Sequence, residues 1–224
     1  MPKGEEEKED NNTLKGVEVL YEDENILALN KPAGLMVHSD GRTKEKTLTD
    51  WILKKYPSLK NVGEPARYEG KIIPRPGIVH RLDKGTSGVL IVAKNQKTFE
   101  YLKNEFQKRE VSKNYIAIVY GAVKDDFGTI ARPIGRSTKD FRLWSAQRGA
   151  RGAMREAVTE YKVIKRVKDF SLINLFPKTG RTHQLRVHLK AINHPIVCDS
   201  LYAPKRECAF GLKRMALHAS SVEF

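Results

Sequence analysis

The chain has 224 residues, enough for one sizeable hydrophobic core, and its 41 Lys and Arg residues outnumber its 27 Asp and Glu residues. The resulting net charge of +14 predicts a polyanionic partner, most simply a nucleic acid, although a generally basic proteome would produce the same excess. No apolar run is long enough to span a bilayer, and no secretory signal begins the chain. The chain has only two cysteines, which are too few for a disulfide framework. Together these features predict a cytoplasmic protein with reduced thiols.

The first predicted elements are a leader, two strands and a helix. Residues 1–14 are acidic and polar, which predicts a disordered leader. Short apolar runs predict strands over residues 17–21 and 26–29. The pattern that starts at Thr47 is typical of a capping box, and it predicts a helix over residues 47–56.

The middle of the chain contains a long predicted loop and then a buried strand. Residues 57–77 are rich in Pro and Gly, with basic residues around Tyr68, which suits either an RNA-touching loop or a solvated connector. The polar stretch 80–88 then leads into the unbroken apolar run 89–93. Such a run predicts a strand that is covered on both faces.

Asp83 is the one carboxylate in that polar stretch, and two interpretations of it stay open at this point. Its neighbouring glycines allow the backbone to turn tightly beside a ligand, so that Asp83 faces a pocket at the end of a central strand. Alternatively, Asp83 lies in a surface turn and merely pairs with Arg81 or Lys84.

The second half of the chain alternates strands with one long irregular segment. The predicted elements in order are a helix over 95–109, a strand over 113–121, an irregular and strongly basic RNA-facing segment over 121–155, strands over 157–167 and 171–176, and a helix that Thr182 caps and that ends at Asn193. No internal repeat and no second core are evident, so we expect one domain over residues 15–224.

Four motifs together resemble the signature of the RluA-type pseudouridine synthases, in order and in approximate spacing. They are Lys31-Pro32-Ala33-Gly34-Leu35, His80-Arg81-Leu82-Asp83 with Thr86-Ser87-Gly88, Lys113-Asn114-Tyr115 with Gly121, and Pro177-Lys178-Thr179-Gly180-Arg181-Thr182-His183-Gln184-Leu185-Arg186-Val187-His188. The resemblance covers roughly residues 17–224. It implies an α+β fold with a mixed, mainly antiparallel central sheet, flanking helices and an RNA-binding cleft.

The resemblance also implies roles for single residues. Asp83 is the essential carboxylate, and it either attacks C1′ of the target nucleotide or removes a sugar proton. Arg186 is its salt-bridge partner, because a carboxylate in a cleft keeps its charge beside a cation. Tyr115 stacks on the flipped uracil, Leu185 packs against it, and Arg81 fills the space that the base leaves. Further expected substrate contacts are Lys31, His80, Thr86, Arg181 and His183.

The implied reaction isomerises uridine to pseudouridine in RNA and needs no cofactor, because product and substrate have the same atoms. No nucleotide-binding motif or strong metal spacing is present, and pairs such as His183 with His188 or Cys198 with Cys208 are poor metal ligands by spacing. We expect a monomer that acts on RNA, with large-subunit ribosomal RNA ahead of transfer RNA. Many relatives carry an N-terminal S4 domain and continue further at the C-terminus, whereas here we expect only the acidic leader and a short or truncated end.

Two other function classes compete with this hypothesis. A catalytically idle RNA-binding or ribosome-assembly protein would use the same fold, but the joint presence of Asp83, Tyr115 and Arg186 argues against it. A nucleosidase or glycosidase would need two carboxylates beside the scissile bond. The motifs provide one, and we interpret Asp199 as a structural residue.

Overall fold

A computed structural model describes residues 14, 16–42, 44–146 and 150–224, with only the backbone of residue 151. These residues form two compact units, of which one ends at Val111 and includes Phe224, and the other spans Ser112–Glu223. Apart from Leu14, the predicted disordered leader lies outside the described residues. A single domain over residues 15–224 stays a prediction.

The first unit is a small antiparallel sheet with helices. Its elements are β1 (Glu18–Glu22), β2 (Ile26–Lys31), α1 (Leu48–Lys55), a 3-10 helix (Pro57–Asn61), β3 (Ala66–Tyr68), β4 (Lys71–Ile73), β5 (Ser87–Ala93) and α2 (Gln96–Lys108). Strand β2 pairs antiparallel with both β1 and β5. Leu27, Leu29, Leu90 and Val92 have no exposed surface, so the two neighbouring strands β2 and β5 hold the core of this unit.

Both helices of the first unit begin as the sequence predicts. The Thr47 side chain accepts a hydrogen bond from the backbone N–H of Asp50, and the Asp50 carboxylate accepts one from the N–H of Thr47. The Asn95 side chain caps α2 through the N–H of Thr98, and Arg109 ends that helix in a left-handed conformation. These side chains satisfy N–H groups that a helix start leaves without intrahelical partners.

The predicted loop over residues 57–77 is more regular than the sequence suggests. Strands β3 and β4 pair as a hairpin, with Ala66 opposite Ile73. Ile73 is buried, whereas its neighbour Ile72 is exposed. The composition concealed this hairpin, because Pro and Gly flank strands of only three residues each.

The second unit is a larger antiparallel sheet with one helix and a small additional sheet. Its elements are β6 (Ser112–Tyr120), β7 (Phe127–Ala131), β8 (Ile134–Arg136), β9 (Trp144–Ser145), β10 (Arg151–Arg155), β11 (Val158–Val167), β12 (Phe170–Pro177), α3 (Gln184–Ala191) and β13 (Leu217–Glu223). Within this unit the strand order is β13-β6-β12-β11-β7, and β8 pairs with β9 and β10 in the small sheet. Helix α3 packs on the larger sheet through Leu185 and Leu189.

Two predictions for the second unit were wrong. Residues 121–155 contain four strands, because Ile130 and Ile134 are buried in the two sheets despite the basic composition around them. Thr182 does not cap α3, since His183 occupies the cap position with φ 57° and makes no side-chain cap. Asn193 does adopt the predicted left-handed conformation, with φ 65°.

Two further observations bear on the expectations from composition. Cys198 and Cys208 are joined as a disulfide with a Cα–Cα separation of 4.8 Å, although the sequence predicted reduced thiols. A spacing of ten residues does not by itself predict that the two cysteines lie close together in the fold. In the described part of the chain, no helix combines the length and apolar character that crossing a membrane requires.

Candidate active site

Asp83 lies in a short turn that precedes β5, and its side chain is half-buried. The turn is closed by the N–H of Thr86, which donates to the carbonyl oxygen of Asp83 at 3.0 Å. The next carbonyl, that of Lys84, accepts from the N–H of Gly34 at 2.8 Å. The Asp83 turn is therefore held by backbone contacts, and Thr86 serves it from a buried position.

Lys31 lies beneath this turn and has no exposed surface. Its ammonium donates to the carbonyl oxygens of Leu35 at 2.6 Å, Pro32 at 2.8 Å and Lys84 at 3.4 Å. Burial lowers the pKa of Lys31 to about 7, and the charge of Asp83 opposes that shift. Lys31 is an expected substrate contact, and that role stays a prediction; in the structure its ammonium lies inside the unit and joins two loops.

His80 also has a position inside its own unit. Its Nε2 accepts a hydrogen bond from the N–H of Ile91 at 2.9 Å, and its ring stacks on Phe106 with centroids 4.7 Å apart. Ile78 forms an isolated bridge with Val92, so the segment before Asp83 runs beside β5. His80 thereby ties the approach of the Asp83 turn to both the strand and α2, and its substrate contact stays a prediction.

Two arginines near the turn act on each other and on His38. Arg81 is exposed, and its charge acts on Arg75 and on His38. Burial is the main cause that lowers the pKa of Arg75, and the charge of Arg81 adds to it. Burial also lowers the pKa of His38, and both arginines act in the same direction. Such like-charge crowding favours the binding of an anion, and it is compatible with the predicted role of Arg81.

Lys84 does not pair with Asp83. Its ammonium lies 2.6 Å from a carboxylate oxygen of Glu45, in an ion pair that is about half exposed on both sides. This pair occupies Lys84 at the surface.

In the second unit, the predicted motif that ends at His188 forms the start of α3. The Gln184 side chain accepts from the hydroxyl of Thr179 at 2.7 Å and from the N–H of Arg181 at 3.0 Å. The same side chain donates to the carbonyl oxygen of Val158. The Arg181 guanidinium donates from Nε to the carbonyl oxygen of Glu156 at 2.9 Å. These bonds fix the first turn of α3 against β11 and position the residues that follow.

Arg186 forms a buried, two-pronged ion pair with Asp199. Its Nε and Nη2 each donate to one carboxylate oxygen, both at 2.7 Å. The exposed fractions of the two side chains are 8% and 0%. Asp199 Oδ1 also accepts from the N–H groups of Leu201 and Tyr202. Two parallel charge-assisted bonds orient the guanidinium plane more firmly than a single contact would.

Tyr202 joins Arg186 to a second predicted residue. The Arg186 guanidinium carbon lies 4.9 Å from the centre of the Tyr202 ring. The Tyr202 hydroxyl lies 2.9 Å from Nδ1 of His183 and accepts from the N–H of Trp144 at 3.0 Å. A hydroxyl that accepts from Trp144 can either donate to His183 or accept from it, so this contact fits both tautomers of the ring.

Tyr115 and Leu185 belong to one apolar cluster. Tyr115 lies in β6 opposite Leu175 and packs against the core that contains Leu185, which is 7% exposed. The structure therefore brings an aromatic ring and an aliphatic side chain together within the second unit. Asp83 lies in the first unit, and its pairing with Arg186 stays a prediction.

The histidines of α3 already have protein partners. His188 has no exposed surface, and its nitrogens lie 3.0 Å from the hydroxyl of Thr159 and 2.9 Å from the carbonyl oxygen of Arg132. Burial lowers the pKa of His188, which favours a neutral ring. In the described ranges, no three His, Cys, Asp or Glu side chains are grouped as metal ligands would be.

The structural partners of these predicted residues lie at positions that local sequence patterns do not single out. Asp199 was interpreted as structural, and its bond to Arg186 defines that role. The Asp-Ser-Leu-Tyr run is a usable signal, because an Asp side chain that accepts from the following backbone N–H groups is a common turn. No comparable local signal predicts that the Tyr202 ring lies against Arg186.

The comparisons with known proteins agree with this geometry. A family model described as RNA pseudouridylate synthase matches residues 25–191. An uncharacterized RNA pseudouridine synthase of Bacillus subtilis is 38% identical over 208 residues, which are 93% of this chain and 64% of that protein. Ribosomal large subunit pseudouridine synthase D of Borreliella burgdorferi is 43% identical over 187 residues, 83% of this chain and 54% of that protein. The chain thus spans less than two thirds of these relatives.

Solved structures are similar over nearly the whole chain. Human RNA Pseudouridylate Synthase Domain Containing 1 has a TM-score of 0.74 at 27% identity, over 93% of this chain and 78% of that one. Human RNA Pseudouridylate Synthase Domain Containing 4 has a TM-score of 0.69 at 26% identity, over 97% and 87%. The predicted α+β fold class with mainly antiparallel strands is thereby confirmed.

Proposed function

Because the chain belongs to the RNA pseudouridylate synthase family, we propose that it isomerises uridine to pseudouridine in RNA. The observation that carries the proposal is the Asp83 turn. It presents a half-buried carboxylate on a loop that backbone hydrogen bonds and the Lys31 ammonium hold in place. A reacting group gains most from such fixed placement, because the orientation is set before the substrate arrives.

The reaction breaks the bond between N1 of uracil and C1′ of ribose, turns the base, and joins C5 to C1′. The proton on C5 leaves to solvent and N1 gains one, so that atoms and charge balance without a cofactor. We propose that Asp83 starts this exchange, either by attack on C1′ or by removal of a sugar proton. The target base must leave its stack first, which costs a few kcal/mol.

We propose that the other predicted residues bind and orient the flipped nucleotide. Tyr115 and Leu185 give an aromatic and an aliphatic surface for the uracil. Arg186 supplies the cation for Asp83, and Asp199 fixes the direction in which its guanidinium points. Arg81 occupies the space that the base leaves, and Arg75 adds positive charge for the backbone phosphates.

We propose large-subunit ribosomal RNA as the substrate, because relatives at 43% and 39% identity are named ribosomal large subunit pseudouridine synthase D. Transfer RNA and an idle RNA-binding role are the alternatives. We further propose that the protein acts as a monomer in the cytoplasm. One assay distinguishes ribosomal RNA from transfer RNA as the substrate.

The test is tritium release from RNA that is labelled at C5 of uracil, since formation of the C5–C1′ bond must expel that hydrogen. We expect release with the wild-type protein and none with Asp83→Asn. Binding of RNA by Asp83→Asn should stay near normal, because phosphate contacts dominate affinity. Asp125→Asn, which changes an exposed carboxylate, is the matched control and should release tritium normally.

Ribosomal and transfer RNA fractions should be assayed separately, and the responding fraction identifies the substrate class. Normal turnover by Asp83→Asn would show that the essential carboxylate is elsewhere. Absence of release from every fraction, with RNA binding intact, would favour the idle RNA-binding role.

A further inference from the structure

A groove of about 550 Å³ lies in the second unit, between the small sheet and the C-terminal half of α3. Leu143, Trp144, Ala191 and Pro195 give it an apolar wall. Three cations line it as well, namely Lys139, Lys190 and Arg206. Among the described lining residues there is no Asp or Glu. The groove therefore combines an apolar wall with positively charged side chains.

Two of these cations are held over aromatic rings. The Lys190 ammonium lies 5.6 Å from the centre of the Tyr202 ring, and the Arg206 guanidinium carbon lies 4.8 Å from that of Tyr120. Both side chains are exposed. A cation held in this way keeps its charge available for an anion.

The wall contains a fixed aromatic side chain. Trp144 is half-buried, its backbone N–H donates to the Tyr202 hydroxyl at 3.0 Å, and the Arg136 guanidinium carbon lies 4.5 Å from its ring centre. Proteins that bind single-stranded nucleic acid combine such aromatic surfaces with a basic groove. The aromatic surface binds a nucleotide base, and the basic groove binds its phosphates.

The charge of the chain is concentrated in the same unit. Residues 112–223 contain 21 Lys and Arg against 9 Asp and Glu, which gives +12 of the total +14. Lys190 follows Arg186 by one helical turn on α3, a rise of about 6 Å. Tyr202 contacts both cations, so the groove adjoins the predicted substrate-binding residues of this unit.

We propose that this groove binds an unpaired nucleotide of the RNA substrate, outside the target uridine. Its base lies against the apolar wall at Trp144, and the adjoining phosphates contact Lys139 and Lys190. This inference rests on the proposed function, because it assigns the groove to the same RNA strand. It identifies single-stranded RNA next to the target uridine as the recognised feature.

The binding test uses Trp144 as its own reporter. The chain contains two tryptophans, so Trp51→Phe leaves Trp144 as the fluorescent one. We expect a short oligouridylate to quench this fluorescence, whereas tripolyphosphate and polyglutamate should not. Equal quenching by tripolyphosphate would overturn base stacking, and equal quenching by polyglutamate would identify an acidic peptide site instead.

A charge-reversal pair then tests the phosphate contacts. We expect Lys139→Glu with Lys190→Glu to weaken oligouridylate binding by at least about tenfold and to reduce the slope of log affinity against log salt by about 1.4. Lys162→Glu with Lys165→Glu changes the net charge equally at exposed positions away from the groove and should leave the slope unaltered. Equal losses in both pairs would overturn the proposal.

Turnover measurements separate this inference from the proposed function. The groove variant should raise KM for RNA while kcat stays near that of the wild type. A fall in kcat at unchanged KM would contradict a binding role. If the wild type released no tritium but oligouridylate still quenched Trp144, the proposed function would fail while the groove would stand.

Discussion

Arg186 and Asp199 form a buried ion pair in which each charge compensates the other. Both side chains are nearly or fully buried, and two direct hydrogen bonds join them. Two backbone N–H groups occupy the remaining capacity of Asp199 Oδ1. Removal of one partner from a buried pair is costly because the other charge stays behind without compensation.

We therefore expect Asp199→Asn to destabilise the protein by about 3 to 5 kcal/mol, as measured by urea unfolding. Tritium release should fall as well, because Arg186 loses its fixed orientation. Asp126→Asn is the matched control, since Asp126 pairs with Arg166 at 2.7 Å but its side chain is 66% exposed. That control should cost at most about 1 kcal/mol, and equal losses in both variants would refute the importance of burial.

The segment that leads into Asp83 depends on one glycine. Gly77 has φ +62°, its N–H donates to the carbonyl oxygen of Val62, and its carbonyl oxygen accepts from the N–H of Ala93. A Cβ at this position would lie 2.1 Å from the backbone carbonyl oxygen of Ala93. Because that neighbour is backbone at the end of β5, it cannot rotate away.

We expect Gly77→Ala to destabilise the protein by about 1 to 3 kcal/mol more than Gly70→Ala does. Gly70 has a similar φ of +78° but nothing within 4 Å of an added Cβ, so it reports the backbone strain alone. Urea unfolding of the two variants gives the comparison. Equal effects would mean that the close approach to β5 relaxes without cost.

Across the whole molecule, the stability should depend on pH through several buried bases. Burial lowers the pKa of Lys31 to about 7 and also lowers the pKa of Lys113. Between pH 7 and about 10 the unfolded chain therefore binds more protons than the folded one, so the free energy of unfolding rises with pH. Burial raises the pKa of Tyr56 to about 12, which reverses the trend above pH 10.

Lys31→Met should remove part of this dependence. We expect the slope of unfolding free energy against pH, measured by urea unfolding between pH 7.5 and 9.5, to fall by up to about 1.4 kcal/mol per pH unit. The absolute stability should fall too, because three carbonyl oxygens lose their donor. Lys97→Met is the control, because it removes the same charge at an exposed position, and it should leave the slope of unfolding free energy against pH unchanged. An unchanged slope in Lys31→Met would show that the Lys31 ammonium does not titrate in this pH range.

The sequence by itself determined much of the local structure and the family. The cap residues Thr47 and Asn95 predicted two helix starts, because a side-chain acceptor satisfies N–H groups a few residues away. The apolar run of β5 predicted a buried strand, since no polar side chain interrupts it. The ordered motifs around Asp83 and Arg186 predicted the family. Each cap and each motif lies within about a dozen neighbouring residues, and the family follows from the order of four such motifs along the chain.

Only the tertiary structure decided what each side chain contacts. Lys31 is an expected substrate contact, yet its ammonium donates to the carbonyl oxygen of Lys84, 53 residues further along the chain. Arg186 and Asp199 are 13 residues apart, and the groove beside Trp144 combines residues from several elements. Charge and residue type are local properties, whereas burial and partner choice depend on how distant segments pack. The same lysine can therefore serve the surface or the interior, and the sequence around it does not distinguish the two.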